Sequence, residues 1–312
     1  MTTPAPAILL QGLVKRYGNL TAVKGLDLEV RPGEILGFLG LNGAGKTTTI
    51  RMLLDLLRPS GGTAAIFGHD CQSDGIHARS LIGYLPSEMG VYPHLTGREV
   101  LNVLGGLHAP ATDGNPIDPH YTSELMERLE LPESDLRRSV REYSTGMKRK
   151  LGIIQAFQAD PRLLILDEPT EGLDPVMQEA FYQLLVDVQR RGRTVFFSSH
   201  VLSQVDRVCH RVALLRKGEL VLLATVEECR HLAPRRVRLT FAADVAALET
   251  LPDGSEMVER TARVWKLRVK GPLGTLLREV ASRNPGIAIE DIEVSEAKLE
   301  DVVLHLYRGD AA

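Results

Sequence analysis

The sequence predicts an α/β fold followed by a small α+β domain, on three observations. An apolar run, Ile35-Leu36-Gly37-Phe38-Leu39, leads through a glycine-rich turn into the helical pattern Thr48 to Leu57. A second apolar run, Arg162 to Asp167, ends in two adjacent carboxylates, Asp167 and Glu168. Beyond residue 225 the composition shifts, and strand and helix patterns alternate in a βαββαβα-like order.

The turn is Gly40-Leu41-Asn42-Gly43-Ala44-Gly45-Lys46-Thr47. Strand, glycine-rich turn and helix together are the context of a phosphate-binding loop. Glycines let successive backbone N–H groups point at one oxyanion. The helix N-terminus, with Thr48 in its first turn, adds unpaired donors and the positive dipole end. Lys46 is placed to reach the β- and γ-phosphates, and the Thr47 hydroxyl to sit on Mg²⁺.

At 312 residues the chain is long enough for two domains, expected at 1–225 and 226–312. The net charge of −3 gives no positive field for nucleic acid, and no nucleic-acid partner is expected. Cys71, Cys209 and Cys229 form no close pair or metal-like spacing, so they read as reduced and structural in a cytoplasmic chain. Met1 to Pro6 lacks a basic n-region, so no signal peptide is expected. No apolar run approaches the ~18–20 residues needed to span a bilayer, so a membrane role must work through another chain.

In chain order, Ala7 to Leu10 and Leu26 to Val30 read as strands. Between them, Tyr17 can stack on an adenine face or simply close a strand end. Thr63 to Phe67 and Ile82 to Pro86 are short strands around a helix over Ile76 to Leu81. Thr96 and Glu99 make a capping-box pattern, and the segment from about 97 to 160 is mostly helical, with a helix over Tyr121 to Leu131. Ser144-Thr145-Gly146 opens another helix and makes a second anion site. Lys148, Arg149 and Lys150 read as added charge on a solvated turn. Asp167 is suited to hold Mg²⁺ opposite Thr47. Glu168, on the other face of the strand, can polarise an attacking water; the pair can equally cap the next helix, Val176 to Gln189. Arg193 to Ser199 is a further buried strand, and His200 just past its end can touch a γ-phosphate. A terminal hairpin follows, Val212 to Leu223.

Together these segments resemble the ATP-binding subunit of an ABC transporter, over about residues 7 to 224. The order matches: Tyr17, a Walker A loop at 40–47, a signature at 144–148, Walker B at 163–168, a D-loop at 172–174, and His200. The resemblance implies a P-loop NTPase with a RecA-like core, an antiparallel β subdomain and a helical subdomain. It also implies a head-to-tail dimer, in which each ATP lies between Walker A of one copy and Ser144, Thr145, Gly146 and Met147 of the other. A separate transmembrane permease would dock near residues 88–101, on a helix near Val91 to Leu101, placing the chain on the inner face of the cell membrane. The expected activity is ATP hydrolysis that powers export of a drug, antibiotic or other small molecule.

Three positions depart from the family pattern. The usual glutamine after Tyr-Leu-Pro is Ser87, which can still reach Mg²⁺ or its water over a shorter distance. The signature is Tyr143-Ser144-Thr145-Gly146-Met147, and Glu171 stands where Ser or Asn is common. One alternative is a soluble ATPase of the same family acting on ribosomes or DNA. This chain has a single cassette, and only about 98 positions separate Lys46 from Ser144, with no heptads. Another alternative is a catalytically weak nucleotide-dependent regulator, kept open by Ser87. The tail is expected to carry strands at 236–241, 262–269 and 288–294 and helices at 245–251, 273–283 and 299–306. Lys298 to Tyr307 resembles the closing helix of drug-exporter ATPase subunits, and a dimerisation or regulatory role follows as an expectation.

Overall fold

The computed structural model describes residues 5–88, 93–108, 117–232, 234–245, 251–283 and 288–295, with Gly90, Gly286 and Val302. The chain divides into two compact units, Met1–Ala224 and Thr225–Ala312.

The first unit opens with β1 (Ile8–Tyr17) and β2 (Leu20–Val30), an antiparallel pair running from Ile8↔Val30 to Tyr17↔Leu20. Both are longer than the sequence pattern predicts. Register shifts at Leu10/Leu13, Leu13/Val14 and Lys15/Arg16 interrupt the two-residue alternation on which a strand is recognised. β3 (Ile35–Leu39) is buried at every position and leads into α1 (Lys46–Leu53). That helix stops short of the expected Leu57, because Asp55 takes a left-handed φ of 56°. β4 (Gly61–Ile66), β5 (His69–Asp70), α2 (Gly75–Ser80) and β6 (Ile82–Leu85) follow.

The helical stretch comprises α3 (Gly97–His108), α4 (Pro119–Arg128), α5 (Glu133–Leu136) and α6 (Thr145–Phe157). The capping box is formed: the Thr96 amide and hydroxyl donate to Glu99 Oε2 at 2.7 and 2.8 Å, and the Glu99 amide donates to Thr96 Oγ1 at 3.2 Å. The cap fixes the start of α3 at Gly97, later than the helix expected from Val91; residues 91 and 92 lie outside the described residues. α4 starts and ends earlier than predicted, with Asp118 capping it through the His120 amide. β7 (Leu163–Asp167), α7 (Pro175–Arg190), β8 (Thr194–Ser199), α8 (Leu202–Val208), β9 (Arg211–Arg216) and β10 (Glu219–Thr225) complete the unit.

Two sheets result. One is antiparallel, in the order β2-β1-β4-β5. The other is six-stranded, β10-β9-β3-β8-β7-β6, with parallel pairing through β9, β3, β8, β7 and β6. Helices cover the parallel sheet, which explains its continuous apolar runs. Phe38, Ile165 and Phe196 of that sheet share a core with Ile8, Leu10 and Leu28 of the other and with Ile50 and Leu53 of α1. Because β3, β8 and β7 are neighbours, their C-terminal ends deliver three distant segments to one edge, the place where such sheets hold ligands.

In the second unit come α9 (Val226–Leu232), β11 (Arg235–Phe241), β12 (Ser255–Arg260), β13 (Val264–Val269), α10 (Leu273–Arg283) and β14 (Ile289–Ser295). The sheet order is β12-β13-β11-β14, all antiparallel, over a core of Phe241, Trp265, Leu276 and Val280. The predicted elements omit β12. Its residues Ser-Glu-Met-Val-Glu-Arg are mostly exposed, so this edge strand carries no apolar alternation. The helices expected at 245–251 and 299–306 fall almost wholly outside the described residues, as does most of Lys298 to Tyr307.

Candidate functional site

The turn between β3 and α1 has the backbone an anion cradle needs. Gly43 and Gly45 take φ values of 80° and 110°, in the region side chains avoid. Gly40 is a glycine for packing: a Cβ there would meet the Leu215 carbonyl oxygen at 2.6 Å and Ala44 Cβ at 2.8 Å. Lys46 is buried. Its Nζ donates to the Gly40 carbonyl at 2.6 Å and lies 3.5 Å from Glu168 Oε1. The cation therefore waits at the mouth of the loop on two oxygen partners that phosphate oxygens can replace.

Asp167 is fully buried at the end of β7. Its Oδ1 accepts from the Ser198 hydroxyl at 2.6 Å, and its Oδ2 from the Thr47 hydroxyl at 3.1 Å. The pairing joins Walker A to Walker B across 120 positions of sequence. The donors are all oxygen, which suits a hard divalent cation. Burial, reinforced by the negative Asp167, pushes the nearby Tyr84 phenol up to about 12.

Glu168 reaches the cleft by a different route from the one predicted. β7 ends at Asp167, and Glu168 takes a left-handed φ of 49°, a strained state for a residue with a side chain. Its amide donates to the Ser198 carbonyl at 3.1 Å, which holds the turn. The carboxylate then faces Lys46 on one side and, at 2.9 Å, His200 Nδ1 on the other. His200 is about half exposed, so it is free to exchange Glu168 for a new partner. Strand alternation would have sent Glu168 across the sheet; the left-handed turn brings it to the site.

A cleft of about 800 Å³ runs along the loop. Tyr17 lines it, with Leu41 to Thr48, Ser87 and Glu168. Tyr17 is 46% exposed, with the Lys15 ammonium 5.2 Å from its ring centre. Of the signature residues Thr145 and Lys148 line this cleft; Ser144, Gly146 and Met147 do not. Ser144 caps α6, its Oγ accepting from the Met147 amide at 3.1 Å.

Arg149 corrects the reading of a solvated basic turn. It is 5% exposed, and its guanidinium donates to three carbonyls: Pro86 at 2.8 Å, Ser87 at 2.5 Å and Glu171 at 3.0 Å. Burial pulls its pKa down, opposed by the charges of Glu171, Asp167 and Glu168. One side chain thus ties the Ser87 loop and the Glu171 turn to α6. Helical spacing does not single it out: Lys150 stands one turn before Ile153 and Ile154, and Lys148 one turn before Leu151 and Gly152, all of them buried as well.

A family model described as ABC transporter matches residues 23–171. A daunorubicin resistance ATP-binding protein of Streptomyces coeruleorubidus is 33% identical over 309 residues, 97% of this chain and 96% of that protein. The chain belongs to the ABC transporter ATP-binding family. An uncharacterized ABC transporter ATP-binding protein of Nostoc is 37% identical over 212 residues, 67% of this chain, and the match spans 62% of that relative's length. Among solved structures, an ATP binding subunit of an ABC transporter aligns with a TM-score of 0.66 at 27% identity, over 72% of this chain and 92% of that one. As a member of this family the chain binds ATP and hydrolyses it. Among the described residues, no helix is long and apolar enough to cross a membrane.

Proposed function

We propose that this ABC ATPase works as a head-to-tail homodimer that drives export of a drug, antibiotic or similar small molecule through separate transmembrane chains, from the inner face of the cell membrane. The observation that carries the dimer is the position of Ser144. Walker A, Asp167 and Glu168 meet in one chain, while Ser144, capping α6, does not line the cleft. A second copy is the natural source of the missing donors. The drug reading is supported by the likeness to the daunorubicin resistance protein, and export by the likeness to a fluoroquinolones export ATP-binding protein of Mycobacterium tuberculosis, 36% identical over 252 residues.

In this reading Lys46 leaves Gly40 and Glu168 for the β- and γ-phosphates, and Tyr17 stacks on the adenine. Thr47 and Asp167 would hold Mg²⁺, and Ser87, which lines the cleft, would contribute through a water. When bound there, Mg²⁺ would supply charge neutralisation and orientation of the phosphates. Glu168, released from Lys46, polarises the attacking water, and His200 helps position it. Arg149 holds the Ser87 loop, so the shorter serine sits on a fixed backbone. The segment 88–101, running into α3, is the docking surface for the membrane chain. The 226–312 domain has a dimerisation or regulatory role, which truncation near residue 225 tests: intact dimerisation and transport in the truncated chain would remove it.

The decisive experiment compares three variants by light scattering with and without ATP. Glu168→Gln should form a stable ATP-dependent dimer, Ser144→Arg should bind ATP as a monomer, and Lys46→Ala should bind none. ATP-dependent dimers of Ser144→Arg would overturn the shared site. Equal, negligible turnover of wild type and Glu168→Gln would favour the regulator.

A further inference from the structure

A second polar cluster lies among residues that the nucleotide cleft does not use. His69 is in β5, at the edge of the antiparallel sheet; Asp74 is the N-cap of α2; His77 is in that helix. One donor atom from each lies within 4.8 Å of the other two. We propose that His69, Asp74 and His77 form a binding site for one Zn²⁺-class divalent transition-metal ion, bracing the edge strand against α2.

The first argument is what Asp74 leaves undone. An N-cap aspartate ordinarily accepts from the amides of its own first turn. Asp74 makes no such bond. Both of its oxygens turn to imidazoles instead, Oδ2 at 2.7 Å from His69 Nδ1 and Oδ1 at 2.5 Å from His77 Nδ1. The two imidazoles flank the one carboxylate, with a ligand atom of each within 4.8 Å of the others, at the expense of the local cap.

The second argument is the scaffold. The loop that carries the ligands is braced by Asp70, whose Oδ1 accepts from the Gln72 amide, the Ser73 amide and the Ser73 hydroxyl. The Asp74 amide donates to the Asp70 carbonyl at 3.0 Å. His69 itself is held opposite Ile66 on β4. Arg79, the guanidinium in the same short helix, is taken up by Asp55 at 3.1 Å and does not compete for Asp74.

The third argument is donor chemistry. Two neutral imidazoles and one carboxylate, with a side open to water, are a three-ligand set for Zn²⁺ or Co²⁺ and a poor one for Mg²⁺ or Ca²⁺. Tetrahedral bonds of about 2.0–2.1 Å place ligand atoms roughly 3.3 Å apart. His77, 73% exposed, can swing to close that gap without moving the backbone. Asp74 then exchanges its imidazole hydrogen bonds for a metal bond.

The test uses the full chain without an affinity tag, stripped with chelator, held in excess Mg²⁺ and free of nucleotide. Zn²⁺ is titrated calorimetrically, and Co²⁺ by visible absorbance. The wild type should bind one more equivalent than His77→Ala or Asp74→Asn, or bind it about tenfold or more tightly, with a four-coordinate Co²⁺ spectrum lost in both variants. Unchanged ATP binding would certify that both variants are folded. Identical Zn²⁺ isotherms for wild type and the two variants, or no Zn²⁺ binding at all, would overturn the site and leave the cluster a hydrogen-bonded His–Asp–His triad.

Discussion

The two units bury their cores in different ways. Among the described residues, every buried charged or polar side chain belongs to the first unit: Lys46, Asp167, Ser198, Ser199, Arg149 and their neighbours. The second unit buries an apolar set around Trp265 and Phe241, whose rings meet edge to face 5.0 Å apart. Buried polar groups cost free energy unless each finds a partner. In the first unit many of them do so at the C-terminal edge of β3, β8 and β7, where hydroxyl, carboxylate and ammonium groups satisfy one another. Among the described residues each unit keeps one buried side-chain atom without a hydrogen-bond partner, Asp160 Oδ1 in the first and the Trp265 Nε1–H in the second. Chemistry is concentrated where the fold accepts polar burial, and the other domain is held by apolar packing.

That contrast yields tests in which damage to one unit spares the other. Replacing Glu168 by Gln should lower turnover about 10²–10⁴-fold, with ATP still bound, as read by steady-state phosphate release and equilibrium binding. Trp265→Ala should cost the second unit about 3–5 kcal/mol, visible by hydrogen exchange in β11 and β13, while ATP binding is retained. Trp265→Phe should cost much less, because it also removes the unpaired N–H. Loss of ATP binding in Trp265→Ala would break the comparison. Arg149→Ala strands three carbonyls and should destabilise the first unit by about 2–3 kcal/mol, lowering turnover by loosening Ser87; a thermal melt together with an ATPase assay separates the two effects. The smallest effect belongs to Thr96→Ala, about 1 kcal/mol, confined to the start of α3 and measurable as a shift of the denaturation midpoint with turnover unchanged.

Much of this molecule was legible residue by residue. The strand–glycine turn–helix at 35–57, the acidic strand end at 167–168 and the strand before His200 each carry a local pattern, and the capping box at Thr96 has its predicted hydrogen bonds. What escaped has a physical reason in each case. β1 and β2 were read short because their bulges break the period, and β12 is an exposed edge strand without an apolar stripe. Arg149 was misread because α6 is buried on most sides beyond its first turn, so spacing does not separate Arg149 from Lys148 and Lys150; only the three carbonyls it meets do.

By itself, the sequence determined the kinds of groups this ATPase has available: a phosphate loop, a lysine, a hydroxyl, two carboxylates and a histidine, each at the end of a predicted strand or the start of a predicted helix. Only the tertiary structure decided their pairing. The order β3-β8-β7 makes neighbours of segments more than a hundred positions apart, so that Thr47 meets Asp167. The left-handed turn at Glu168 aims its carboxylate between Lys46 and His200. Local pattern is a property of consecutive residues, whereas partnership depends on sheet order and on single backbone angles that burial and hydrogen bonding set across the whole fold.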